Sequence, residues 1–304
     1  MRIVTMRVVI VRTVSMLALV VGLLLSVSAQ AGATDDPQTI MDRVDLLQRE
    51  ASDSTLTQSG LSSCSFAIKA KKVTCTETPR TRSVESLSRQ LGANKKDSQS
   101  ISILLAPASE RGIGMLTYSY DDETRDIESW LYLSALGKVK RMASGTGEDR
   151  EPVSLFGSEF TTEDMENGKT DEYNYEILQA GQYGGQEVWV IEATPKPVRY
   201  KKTNYSKWRY WIDQTRYVML KAQAYDKRGT LHKRLMFKHY QEIKGHWHAR
   251  DITVYNLKKQ RLSTMKLEKL AVDIELDPEF LTQRTLTDFA FREQHLQTLR
   301  QFFQ

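Results

Sequence analysis

From Glu187 to Ile274 the chain alternates apolar and polar residues with a period of two through six segments, at 187–194, 207–213, 216–225, 231–241, 247–257 and 262–274. The gaps are short, and several carry turn residues: Asp213-Gln214, Asp226 to Gly229, and Lys244-Gly245. Strands so closely spaced pair as consecutive hairpins, which predicts an up-and-down antiparallel meander closing into a barrel or a strongly curved sheet. Three further strands are expected upstream, at 101–106, 115–120 and 129–133.

Parity assigns each strand an apolar face. Leu116, Tyr118 and Tyr120 share one face, as do Trp208, Tyr210 and Ile212. The next strands present Val218, Leu220, Ala222 and Ala224, then Leu231, Leu235 and Phe237, then Met265 and Leu267. The opposite faces carry Lys221, Gln223, Arg234, Lys238, Lys266 and Glu268, which suit water. Periodicity does not separate a filled core under a covering helix from an internal cavity, for which Ala222 and Ala224 would leave room.

A helix is expected to open the exported chain, with Asp36 as cap and Pro37 in the first helical position. Ile40, Val44 and Leu47 fall on one face of it, and it should end near Ser52. Thr78 to Ser100 is polar and reads either as weak edge strands or as a flexible excursion. Between Met142 and Asn174 glycine, serine and acidic residues break the pattern, as in a long loop crossing the sheet. A terminal helix is expected near Asp288 to Phe302, and residues 32–304 read as a single domain.

Residues 1–31 have the parts of a secretory signal: Arg2, Arg7 and Arg12, an apolar core from Val14 to Val27, and the small-x-small site Ala29-Gln30-Ala31. Cleavage is expected after Ala31, with export to the periplasm. The chain carries 43 Lys+Arg against 38 Asp+Glu, and removing this segment leaves 40 against 38. So small an excess is poor evidence for nucleic-acid binding. In an exported chain Cys64 and Cys75 read as a structural disulfide. A hairpin turning near Ala70 sets them opposite each other, and closing so short a loop is worth about 3 kcal/mol in the chain-entropy picture. A redox pair or metal ligands are the alternatives, but the spacing is not C-x-x-C and no histidine lies nearby.

The search for catalysis is unproductive. His246 and His248 share a strand face, yet follow a Lys-Gly turn and have no third ligand, so no metal is expected. There is no G-x-S-x-G elbow, and Gly145-Thr-Gly147 lacks the following Gly-Lys of a P-loop. Glu163 and Asp164 are expected to be solvated or to cap a turn. No cofactor, no enzyme activity and no nucleic-acid partner are expected.

Longer strings are more specific. Leu105-Ala-Pro-Ala and Arg111-Gly-Ile-Gly precede Leu116-Thr-Tyr-Ser-Tyr. Trp130 to Arg141, Phe156 to Phe160 and Glu163-Asp-Met165 then follow in order. From about Ser100 to Leu286 the chain thereby resembles the periplasmic outer-membrane lipoprotein-sorting (LolA-like) family, although that family more often has aspartate where Glu159 stands, and the Cys64/Cys75 pair is not a hallmark of it. The resemblance implies a mainly β (α+β) fold, an open, half-closed antiparallel barrel covered by helices, with an apolar cavity for acyl chains. It implies a carrier of lipid or lipoprotein acyl chains, and for some members work beside an inner-membrane exporter of the RND/MMPL type; a monomer is expected. Leu116, Tyr118, Trp208, Tyr210, Ile212, Val218, Leu220, Leu235, Phe237, Met265 and Leu267 are the candidate cavity lining. The opening helix and the 142–174 loop are candidates for its cover. An envelope sensor that signals through a protein partner is the competing reading.

Overall fold

A computed structural model describes residues 36–70, 72–122, 124–142, 153–166 and 169–303. The expected secretory signal at residues 1–31 and residues 143–152 of the long loop lie outside them. Helix α1 (Pro37–Glu50) starts where Asp36 accepts a hydrogen bond from the Thr39 amide at 2.9 Å. It buries Ile40, Met41 and Val44, while Leu47 is only half-buried.

One antiparallel sheet follows. Its strands are β1 (Ser54–Lys69), β2 (Lys72–Cys75), β3 (Arg80–Leu91), β4 (Asp97–Ala106), β5 (Gly114–Ser119), β6 (Glu128–Leu133) and β7 (Lys138–Met142). The second half holds β8 (Tyr173–Tyr183), β9 (Gln186–Pro195), β10 (Tyr205–Asp213), β11 (Met219–Asp226), β12 (Leu231–Ile243), β13 (His246–Asn256) and β14 (Arg261–Val272). The order is β7-β6-β5-β4-β3-β1-β14-β13-β12-β11-β10-β9-β8, so the first and last strands pair in the middle and β7 and β8 remain as free edges. The barrel is therefore open. Helix α2 (Pro197–Lys202) joins β9 to β10, and α3 (Gln283–Thr287) and α4 (Phe289–Leu299) close the chain.

The polar Thr78–Ser100 stretch is neither an edge nor an excursion. It forms β3 and the start of β4, and β3 lies between β1 and β4. Its alternation is carried largely by serines, which bond across the sheet: Ser86 to Ser102 and Thr55 to Ser88, both at 2.7 Å. Strand β8 lies where no strand was expected, because the alternation that begins with Tyr173, Tyr175 and Ile177 breaks at a pairing irregularity between Ile177 and Gln179.

The disulfide Cys64–Cys75 is present, with the Cα atoms 5.8 Å apart. The two residues are not directly opposed, however. Cys75 pairs with Phe66, and Cys64 pairs with Leu262 of β14. The bond runs diagonally across the base of the β1–β2 hairpin, whose turn places Ala70 at φ 47°.

Candidate functional site

The concave face divides into regions with different fillings. Toward β1 and β3–β5, the interior is filled by the segment 153–166. Its Leu155 and Phe160 are buried against Leu61, Val84, Leu104 and Met115. Ser154 bridges to Thr161, and a left-handed turn at Phe156 and Gly157 (φ 49° and 71°) reverses the chain between them. Toward β10–β13 a cavity of about 330 Å³ remains open.

Its floor is aromatic and aliphatic: Trp208 and Tyr210 from β10, Met219 and Ala222 from β11, Leu235 and Phe237 from β12. Ile252 and Met265 continue it onto β13 and β14. Trp208 and Tyr210 stack with ring centroids 5.8 Å apart and planes 8° apart. The register sets Ala222 between Tyr210 and Leu235, so a methyl stands where neighbouring strands carry large side chains. Met41 and Val44 of α1 form part of the wall, with Phe160, Met165, Tyr173 and Tyr175. Burial pushes the Tyr173 phenol up to about 12 and also raises those of Tyr175 and Tyr210, so all three present neutral rings.

Five of the eleven lining candidates, Trp208, Tyr210, Leu235, Phe237 and Met265, meet in this cavity. Leu116 and Tyr118 lie elsewhere, packed with Phe280, Leu281 and Leu286, and the Tyr118 hydroxyl donates to the Leu281 carbonyl at 2.7 Å. Ile212 sits beneath α1 with Trp189 and Ile191. Val218 and Leu220 pack with Val188, Val190 and Trp211. The cause is a β-bulge in the β10–β11 pairing, where Trp211 opposes Lys221 but Ile212 opposes Met219. One residue is skipped, so Leu220 leaves the face of Ala222 and Met219 takes its place. Leu267 joins Ile243, Leu270 and Val272, next to a second bulge opposite Gln58 and Ser59.

The paired acids of the loop are engaged rather than solvated, and Asp164 caps the turn that opens at Thr161. Asp164 has a fully buried side chain, and its carboxylate meets Lys233 Nζ at 2.5 Å. It also accepts from the Tyr205 hydroxyl at 2.7 Å and the Thr161 amide at 3.0 Å. Lys233 donates further to the Glu159 carbonyl at 3.0 Å. The Glu159 carboxylate takes Asn256 Nδ2 at 2.8 Å and Arg261 Nε at 3.1 Å, and Glu163 takes Asn204 Nδ2 at 2.7 Å. The segment is thus anchored to β10, β12, β13 and β14 by buried polar bonds. Lys233 shares the parity of Leu231, Leu235 and Phe237, so a lysine on an apolar face was the signal in the sequence.

A second cation stands at the polar end. Arg199 of α2 meets Glu166 at 2.6 Å and Glu172 at 3.4 Å, and donates to the Tyr173 hydroxyl at 3.0 Å. Burial opposes its charge, but Glu166 and its other partners outweigh burial and raise its pKa. Nothing in the basic run from Lys196 to Lys202 distinguishes this buried arginine from its exposed neighbours. Beside this network His232 lies edge-on to Tyr205 at 6.2 Å, and burial together with Lys233 lowers its pKa below 6.5. The unfolded chain then binds a proton more readily than the fold, so stability is complete above that value and falls as pH drops through the window beneath it. Urea midpoints at pH 7.5 and 5.5 should show this loss, and His232→Gln should flatten it in part, since His248 is shifted the same way.

A family model described as "Uncharacterized protein" matches residues 96–288. A DUF1329 family protein from Desulfovibrio piger is similar in structure, with TM-score 0.71 and 26% identity over 83% of this chain and 99% of that one. A putative outer membrane lipoprotein-sorting protein domain from Vibrio parahaemolyticus has TM-score 0.67 and 23% identity, covering 83% and 98%. The chain belongs to the LolA-like family. A LolA superfamily protein from Nitrosomonas europaea shares the fold at TM-score 0.58 and 18% identity, covering 81% and 97%. A search of curated proteins finds no match. The open barrel is therefore the fold of this family, and the shared region spans nearly the whole of each of these three structures.

Proposed function

We propose that this protein is a periplasmic carrier that takes an acyl chain of a lipid or lipoprotein into the cavity and moves it towards the outer membrane. The observation that carries this reading is the open space of about 330 Å³ inside an unclosed sheet, with an aromatic and aliphatic floor and, at one end, a charged rim that includes Glu166, Lys169 and Arg199. A ligand pocket of that size is at the small end of the usual range, roughly 300–1,000 Å³, which suits one chain or part of one. Each methylene moved from water to such a floor is worth about 0.8 kcal/mol. The secretory segment and the disulfide support export to an oxidising compartment. Supply or removal of cargo by an RND/MMPL-type exporter in the inner membrane belongs to the same proposal.

Native mass spectrometry of the protein isolated from periplasm, with lipid extraction alongside, tests it. A co-purifying acyl-chain ligand at about one per protein is expected, within the single-site stoichiometry of one such pocket. A ligand-free mass, with no uptake of added phospholipid or lipopeptide, overturns the carrier reading and leaves the sensor.

A further inference from the structure

In an antiparallel sheet every second connection lies at the same end. At one end of this sheet are the turn after β11, the turn after β13, helix α2 after β9 and the tip of the hairpin after β1. All four are basic. They expose Lys201, Arg228, Lys258 and Lys259, together with Lys69 and Lys72 at the hairpin tip. At the opposite end the cations face acids: Arg216 meets Asp213 at 2.6 Å, Lys244 meets Asp273 at 3.3 Å and Lys95 meets Asp53 at 2.5 Å. Some cations of the basic end are paired as well, Lys202 with Asp126 at 3.4 Å and Arg261 with Glu77 at 3.8 Å, but among the described residues the six named above form no ion pair. Acids near the basic end are engaged in local structure: Asp226 holds its own turn through the Arg228 and Thr230 amides, and Glu77 accepts from Ser65.

Apolar side chains are exposed among these cations. Ile68 and Val73 face each other across the hairpin and are 66% and 41% exposed. Val198 and Tyr200 on α2 are 51% and 43% exposed. The disulfide fixes the base of the hairpin, and Phe66 packs edge-on against Tyr255 at 5.8 Å, so the tip is presented from a braced stem.

We propose that this end of the sheet docks on a bilayer surface containing anionic phospholipids. Lysine and arginine clusters bind anionic headgroups, and adjacent aliphatic and aromatic side chains enter the interface. The proposal goes beyond the carrier reading and does not depend on it. Arg199, whose neighbours Val198, Tyr200 and Lys201 lie in the docking face, also lines the cavity, so that face borders the cavity wall.

Flotation of the chain from Gly32 onward with vesicles tests this. Binding is expected to vesicles of phosphatidylcholine mixed with phosphatidylglycerol, to weaken as salt is raised, and to be nearly absent with phosphatidylcholine alone. The quadruple variant Lys201→Glu, Arg228→Glu, Lys258→Glu, Lys259→Glu should lose about 100-fold or more in partitioning, and Ile68→Ser with Val73→Ser about 10-fold. All six positions are exposed, and unchanged circular dichroism verifies the fold. Equal binding to neutral vesicles, no binding to either, or full binding by the quadruple variant overturns the proposal. So does a requirement for an acidic protein in place of lipid. Uptake of a fluorescent fatty acid without vesicles, measured on the same variants, should be unchanged. Vesicle binding without uptake in the parent would sink the carrier reading alone, and uptake without vesicle binding would sink the docking alone.

Discussion

Asp164→Ala is expected to destabilise the protein by about 3–5 kcal/mol, the usual cost of removing one member of a buried ion pair. The substitution strands the Lys233 ammonium, which is 3% exposed and has the Glu159 carbonyl as its remaining acceptor. It also leaves the Tyr205 hydroxyl, itself buried, without its acceptor. A domain is commonly stable by about 5–15 kcal/mol, so the loss is a large part of the total. Urea unfolding followed by tryptophan fluorescence measures it. Asp164→Leu with Lys233→Met should recover much of the deficit, because two apolar groups replace two charges that no longer need solvation. Recovery should stop short of the parent, since the Thr161 amide and the Glu159 carbonyl lose the partners they had, at about 1–3 kcal/mol for each group left unsatisfied. A cost below about 1 kcal/mol for Asp164→Ala would show that the carboxylate reaches water, as in an ordinary surface pair.

That ion pair also marks where sequence patterning stops being informative. The meander was legible because six strands with short gaps repeat one period, and β9 to β14 fall within two or three residues of expectation at nearly every boundary. The pairing of β1 with β14 was not, since nothing local records a contact between residues about 200 apart. Parity placed Trp208, Tyr210, Leu235 and Phe237 on the inner face correctly. It failed at Leu220 because a single bulge inverts every assignment beyond it. Composition predicts a long polar loop that crosses the sheet, with Glu163 and Asp164 solvated or capping a turn. In the structure three of its apolar residues, Leu155, Phe156 and Phe160, enter the core and draw Asp164 and Glu159 in with them. Lysine at 233 was visible on an apolar face. Its partner lay 69 residues away in a segment with no periodicity, so the pair could not be read from either residue alone.

Ala222→Phe is expected to weaken acyl-chain binding about 100-fold while leaving the fold intact. Ala222 is 1% exposed, yet it borders the open cavity between Tyr210 and Leu235. A benzyl group there takes the room of roughly four methylenes, and at about 0.8 kcal/mol each this removes about 3 kcal/mol of transfer free energy. Because Ala222 lines the cavity, the added ring can extend into it, so stability should be largely preserved. Ala224→Phe is the matched control. Ala224 is fully buried in the same strand, opposite Trp208 and Lys233, and does not line the cavity. There the ring must displace packed neighbours at a cost of about 1–3 kcal/mol or more. Titration of a fluorescent fatty acid and urea unfolding, run on both variants, separate the two effects. Binding lost at 222 with stability kept means that the space between β10, β11 and β12 is where the chain lies. Equal destabilisation by both variants would mean that this space closes in solution, and the apolar face would then be core.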